Sequence, residues 1–258
     1  MTDAHAQTPK IPLGVGAIIS NGFSILFKNF PKVLALGFIG ALIVFLSDFL
    51  LLGANKTLSF GDPSTSEPSN VGAFLASLVI TILVYSLTSA LFIQLAYDAK
   101  LGRRNSIGTY IRFALPAVLP IAILSLVVGL LAAIGAIGLI IGAFFVYAMF
   151  YVMAPVAIIE RTGFGSLRRS VQLTKGYLTS IVGLLLLIFL IFIVLGLMFA
   201  FIAVVLANIG GPIFAGITIV ILDGLSYAFG GIIVALVYAR LREIKEGVDV
   251  DQIAAVFD

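Results

Sequence analysis

The sequence predicts an all-α integral membrane protein: six transmembrane helices with amphipathic interfacial helices on the cytosolic side. Three observations predict it. First, hydrophobic residues make up 61% of the 258-residue chain and charged residues only 10%, whereas a soluble domain carries about 25% charge. With a mean hydropathy of +1.22, the chain has too few polar groups to cover a water-facing surface. Second, the apolar residues fall into blocks of about 20, the length that crosses a bilayer as a helix. Third, the cationic residues gather in alternate connections between these blocks.

Each element follows in order. Residues 1–11 read as a disordered tail, which holds the only histidine, His5. In residues 13–30, Ile19, Phe23, Leu26, Phe27 and Phe30 share a face opposite Asn21, Ser24 and Lys28. This pattern predicts an interfacial helix stopped by Pro31. The six spans are expected at about 33–52, 72–98, 116–133, 137–159, 178–206 and 213–239, forming one membrane domain over residues 12–245. Residues 53–70, rich in Gly, Pro, Ser and Asn, read as a loop. Ile107, Tyr110, Ile111 and Ala114 form a narrow apolar face, which predicts a second interfacial helix over 106–115. The apolar block Pro116–Glu160 is long enough for two spans, and the break is expected near Ala133–Gly138, where Gly and Ala are dense. Asn208–Pro212 predicts a tight turn. Asp249 and Gln252 have capping-box spacing, so a short cytosolic helix is expected within 246–258.

Between spans four and five lies Glu160–Tyr177, a basic segment with Arg161, Arg168, Arg169 and Lys175. As a helix it places Arg168, Gln172 and Lys175 on one side and Leu167, Val171, Thr174 and Leu178 on another, the pattern of a helix on a membrane surface. All Lys and Arg except Lys56 fall before span one, after spans two and four, or after span six. The positive-inside rule then places both termini in the cytosol. A weak repeat agrees with this layout. Leu26-Phe27-Lys28-Asn29-Phe30 and Leu173-Thr174-Lys175-Gly176-Tyr177 each precede a pair of spans. The segment at 106–115 holds the same place, so three units of surface helix plus hairpin are expected.

The chain has no cysteine, which excludes disulfides, thiolate nucleophiles and thiolate metal sites. It has no zinc-protease motif, nucleophile elbow, P-loop or nucleic-acid motif. No enzymatic activity, cofactor, metal or nucleic-acid partner is therefore expected. Asp223 lies near the middle of span six, where a carboxylate costs about 2.5–3.5 kcal/mol on insertion scales. It must face other helices, water or a partner. Ser226, Tyr227 and Gly230 follow it and read as the same side of the helix. The cluster could be a proton, ion or headgroup site, or an aspartate bonded to a neighbouring hydroxyl. Ser77, Thr81, Tyr85 and Thr88 form a hydroxyl stripe on span two. Such stripes join helices, though this one could line a path with Asp223. Asp48 and Asp98 read as boundary charges. Gly138 and Gly142 form a GxxxG, which predicts close helix packing or a face for a protein partner or second copy. Arg168, Arg169 and Lys175 are the candidates for anionic lipid headgroups.

The run Ala154–Tyr177 resembles bacterial membrane proteins of the glycerophosphoryl diester phosphodiesterase membrane-domain type and the related YciC-like six-span families. Ala154-Pro155, Glu160, Gly163, Ser170 with Leu173, and Lys175-Gly176-Tyr177 carry the likeness, together with residues 17–30 and the run from Leu241 to Gly247. The resemblance implies a six-helix protein of the bacterial cytoplasmic membrane without an assigned site. The soluble catalytic barrel of the phosphodiesterase members has no counterpart in this sequence, so their activity is not implied. The functional expectation is a non-enzymatic envelope protein that handles or senses lipid or a small amphiphile. An ion- or proton-coupled transporter using Asp223 and a scaffold or assembly subunit are the alternatives.

Overall fold

The structure, a computed structural model, describes residues 11–53, 57, 70–103, 105–138 and 140–247. Eight helices carry the fold: α1 (Val15–Lys28), α2 (Phe30–Leu52), α3 (Val71–Lys100), α4 (Ile107–Gly138), α5 (Ile140–Phe150), α6 (Ser166–Thr174), α7 (Leu178–Gly210) and α8 (Pro212–Glu246). A helical turn at Met153–Pro155, a π turn at Val156–Glu160 and a 3-10 turn at Gly163–Gly165 join α5 to α6. No strand occurs among the described residues. Six segments are long and apolar enough to cross a membrane: α2, α3, α4, α5 with its continuation to Glu160, α7 and α8.

Helix α8 is the hub. It packs against α1, α2, α3 and α7, and Ile232, Ile233, Val237 and Tyr238 are fully buried on it. In lipid, helices associate through close packing rather than through escape from water, so small residues set the contacts. Gly224 of α8 meets Gly37 of α2 backbone to backbone: a methyl on Gly224 would lie 2.7 Å from the Gly37 carbonyl carbon. Gly231 receives Phe92 of α3 in the same way. Gly22 of α1 lies against Ile233, and Phe23 stacks on Phe229 at 4.6 Å. The predicted first surface helix is therefore docked on the bundle.

Helices α3, α4, α5, α7 and α8 form a closed ring, each touching the next, with α1 and α2 outside it against α8. Buried core residues concentrate toward the basic end, among them Phe92 and Ala96 on α3 and Ile232 and Leu241 on α8. Toward the other end large apolar side chains point outward, among them Val79 on α3, Ile134 on α4, and Leu197, Phe201 and Ile209 on α7. That is the surface a hydrocarbon environment requires.

Three boundaries differ from expectation. Pro31 does not stop α1. The break falls at Asn29, and Pro31 sits in the first turn of α2, where its missing N–H is not needed. The interfacial helix expected at 106–115 is not separate, because α4 runs unbroken from Ile107 through Pro116 and Pro120. Each proline withdraws one N–H from the carbonyl four residues earlier, which a packed helix tolerates. Gln94 of α3 braces this segment. With its amide oriented by its neighbours, it donates to the Tyr110 carbonyl and accepts from the Ala114 N–H, both at 3.2 Å. Third, span four is not one regular helix, since its α-helical part ends at Phe150.

The repeat is visible in the outer units. Helices α1–α2–α3 and α6–α7–α8 share one order, with Leu26 and Leu173 both buried just before the break. The middle unit, α4–α5, lacks a surface helix. The N-terminal tail through residue 10, nearly all of the 53–70 loop, and the helix expected within 246–258 lie outside the described residues, apart from Glu246 and Gly247.

Candidate functional site

The broken fourth span organises the site. A helix ends with four carbonyls lacking an intrahelical donor, and in hydrocarbon such groups must find partners within the protein. Met149 carries one of these carbonyls. It accepts from Ser170 Oγ at 3.0 Å, and Thr174 Oγ1 reaches it at 3.1 Å, sharing its one proton with the Ser170 carbonyl at 3.0 Å; both hydroxyls are on α6. Ser166, Ser170, Leu173 and Thr174 are the buried face of α6. Of the predicted apolar face, Leu167, Val171 and Leu178 are half-buried and Thr174 is buried. The segment is amphipathic as expected, and it also uses a hydroxyl face to cap a broken transmembrane helix.

Behind the break the ring encloses a cavity of about 460 Å³. Tyr85 and Ser89 line it from α3, Ser125 from α4, Tyr147 from α5, Tyr151 from the break, and Gly230 from α8. No charged side chain lines it. It sits near mid-height, since Tyr85 and Gly230 lie close to the centres of α3 and α8. The hydroxyls of Ser125, Tyr147 and Tyr151 form no hydrogen bond with another described residue. All three residues line the cavity. Tyr85 and Tyr147 are each about half exposed, at 46% and 47%. The volume falls in the range of about 300–1,000 Å³ typical of small-molecule sites.

The sequence-predicted polar residues divide among three places. Spans two and six do touch, through Tyr85 and Tyr227, whose rings stand edge-to-face at 5.7 Å. Of the predicted residues, Tyr85 and Gly230 line the cavity. Asp223 is half-buried on α8 within electrostatic reach of Asp48. It forms no hydrogen bond or ion pair with another described residue. Asp48, expected to be only a boundary charge, accepts a short hydrogen bond from Ser77. Ser226 turns away from Asp223. It donates to the Leu222 carbonyl at 2.8 Å and lines an apolar groove with Phe23, Phe192 and Phe229. Thr88 is buried, donates to the Val84 carbonyl at 2.8 Å, and packs on Gly40. It is a packing residue. Thr81 is half-buried and lies outside the cavity. Gly142 packs on Gly135 of α4, so it is used within the chain. The side-chain surroundings of Gly138 lie outside those described.

At the basic end, Arg168 and Lys175 are exposed, as the helical pattern predicts. Arg169 is not free for a headgroup. Its Nε bonds the Glu160 carboxylate at 3.0 Å, and its Nη2 pairs with Glu246. The bond to Glu160 raises the guanidinium above its usual range. Tyr238 donates to Glu160 at 3.0 Å, and Arg242 bonds Glu246 at 2.8 Å. Lys245 Nζ donates to the Gln172 and Lys175 carbonyls at 2.7 and 2.8 Å. This clamp fixes α6 and the end of the π turn to the end of α8.

Ser125, Tyr147 and Tyr151 are cavity residues that the sequence reading missed. Isolated hydroxyls in apolar blocks carry no motif; only the ring brings them together. No family model, curated protein or solved structure matches this chain.

Proposed function

We propose that this is a non-enzymatic, multi-pass protein of the bacterial cytoplasmic membrane, with both termini cytosolic, that binds a lipid or small amphiphile within its helix ring. One observation carries the reading: a cavity of about 460 Å³ at mid-height, lined by three tyrosines, two serines and apolar groups, with no charge. Such a lining suits an apolar chain joined to a hydroxyl or carbonyl, which the free hydroxyls can pair. It suits a bare ion poorly. Gly230 supplies the test. A Cβ there meets nothing within 4 Å, so Gly230→Leu directs its side chain from an open position into the cavity. The purified protein should carry a defined lipid or amphiphile, identified by native mass spectrometry, and Gly230→Leu should lose it while keeping its thermal stability. Equal retention by both proteins would refute the reading.

A second reading rests on Asp223 and Asp48, two carboxylates close together within the helical bundle. Under it the pair carries a proton for coupled transport, and Asp223→Asn abolishes uptake into proteoliposomes. Unchanged uptake of an identified substrate would exclude it. The cavity reading does not use Asp223, so the two variants separate the proposals.

A further inference from the structure

The elbow between α1 and α2 lies apart from the ring cavity and shares no lining residue with it. A pocket of about 560 Å³ opens there at the basic end, lined by Ser24, Lys28, Asn29, Lys32 and Arg103 together with backbone and apolar groups. It joins three elements: the end of α1, the start of α2, and the turn after α3. None of its lining residues is acidic. Lys28, Lys32 and Arg103 form no ion pair with a described residue. Lys32 Nζ makes one long contact, 3.4 Å to the Asn105 carbonyl. The neighbouring carboxylate, Asp98, accepts from Asn105 Nδ2 at 2.7 Å and does not line the pocket.

The backbone adds to the charge. The first intrahelical bond of α2 runs from Val33 N–H to the Asn29 carbonyl at 2.9 Å. The N–H groups of Phe30 and Lys32 precede it and have no intrahelical acceptor. A long helix also carries partial positive charge at this end. Three cations, the unpaired Lys32 N–H and the positive end of a 23-residue helix thus meet around one cavity.

We infer that this elbow binds a phosphate group at the membrane interface, through Lys28, Lys32, Arg103 and the first turn of α2. A tetrahedral oxyanion accepts hydrogen bonds from several directions, as this donor set requires. The group arrives as the headgroup of an anionic lipid or as a free phosphate. Arg168 and Lys175, equally exposed but without such a pocket, take no part in it.

The full-length protein in detergent is loaded with phosphatidylglycerol or phosphatidylcholine and read by native mass spectrometry. Each cation contributes about fivefold near a membrane surface. Lys32→Gln with Arg103→Gln should therefore weaken phosphatidylglycerol retention about 25-fold without changing phosphatidylcholine. Arg168→Gln with Lys175→Gln should leave it unchanged. Ser24→Leu, which narrows the pocket without altering charge, should also weaken it, and circular dichroism checks that each variant stays helical. A parallel arm titrates inorganic phosphate. Phosphate that binds the wild type and displaces the lipid marks free phosphate as a ligand; lipid retained at saturating phosphate marks the headgroup. Equal losses in the two double variants, or no loss in either, would overturn the inference, as would full retention by Ser24→Leu.

Discussion

Removing both hydroxyls that cap the Met149 carbonyl tests whether the broken fourth span depends on α6. Ser170→Ala and Thr174→Val each delete one donor at nearly constant shape. Both positions are fully buried, so water cannot replace the lost group. Either hydroxyl alone still pairs the carbonyl. Each single variant should therefore cost only about 0.6 kcal/mol, the average for a hydrogen bond between membrane helices. The double variant leaves a buried acceptor without a donor, which costs about 1–3 kcal/mol beyond the lost bonds. The prediction is a coupling of about 1 kcal/mol or more between two residues one helical turn apart. Equilibrium unfolding in mixed micelles measures the cycle. Hydrogen exchange should show faster opening of residues 149–156 in the double variant, with the rest of the bundle protected. Strict additivity, with a total near 1.2 kcal/mol, would mean that the carbonyl never needed α6, and the capping argument would fail.

Other outcomes follow from the same packing. Gly224→Leu drives a side chain into the Gly37 backbone and should destabilise the bundle by at least about 1–3 kcal/mol, the usual cost of overpacking; thermal unfolding reads it. Glu160→Gln removes the charge facing Arg169 and should cost about 1 kcal/mol, since the pair is partly exposed. The raised guanidinium of Arg169 contributes fully at every pH below its ordinary value and loses that contribution only as pH rises through the raised one. Stability should accordingly show no Arg169 titration between about pH 6 and 9; a transition there that Arg169→Gln abolishes would contradict this. Tyr147→Phe and Tyr151→Phe should each weaken retention of the cavity ligand about two- to tenfold, the worth of one neutral hydrogen bond, as measured by native mass spectrometry.

Long apolar blocks made the helices legible. Spans two, five and six were placed within four residues at their outer ends, because Asn70, Gly211 and the runs before them are strong boundary signals. Helix breaks were less legible. Pro31 looked like a stop but begins a helix, and Pro116 looked like a boundary but lies, with Pro120, inside one. The break at Tyr151 lies four residues before Pro155, whose missing N–H leaves the Tyr151 carbonyl without its helical donor, while the hydroxyls that cap the neighbouring Met149 carbonyl lie on α6, more than a dozen residues away. Asp223 and Tyr85 stood out by composition, and the structure does bring their helices together. Glu160, Ser170 and Lys175 prove to be joints of the fold. Glu160 anchors the clamp, Ser170 caps the break, and the Lys175 carbonyl receives Lys245. Lys28, Lys32 and Arg103 are scattered in sequence, so their shared pocket was invisible before folding.

Photocrosslinking with a diazirine-bearing lipid analogue in native membranes probes the ring cavity most directly, with adducts mapped by mass spectrometry. The account predicts adducts concentrated at Tyr85, Ser125, Tyr147 and Tyr151 and lost in Gly230→Leu. Adducts confined to outward-facing positions such as Leu197 and Phe201, unchanged by Gly230→Leu, would contradict it.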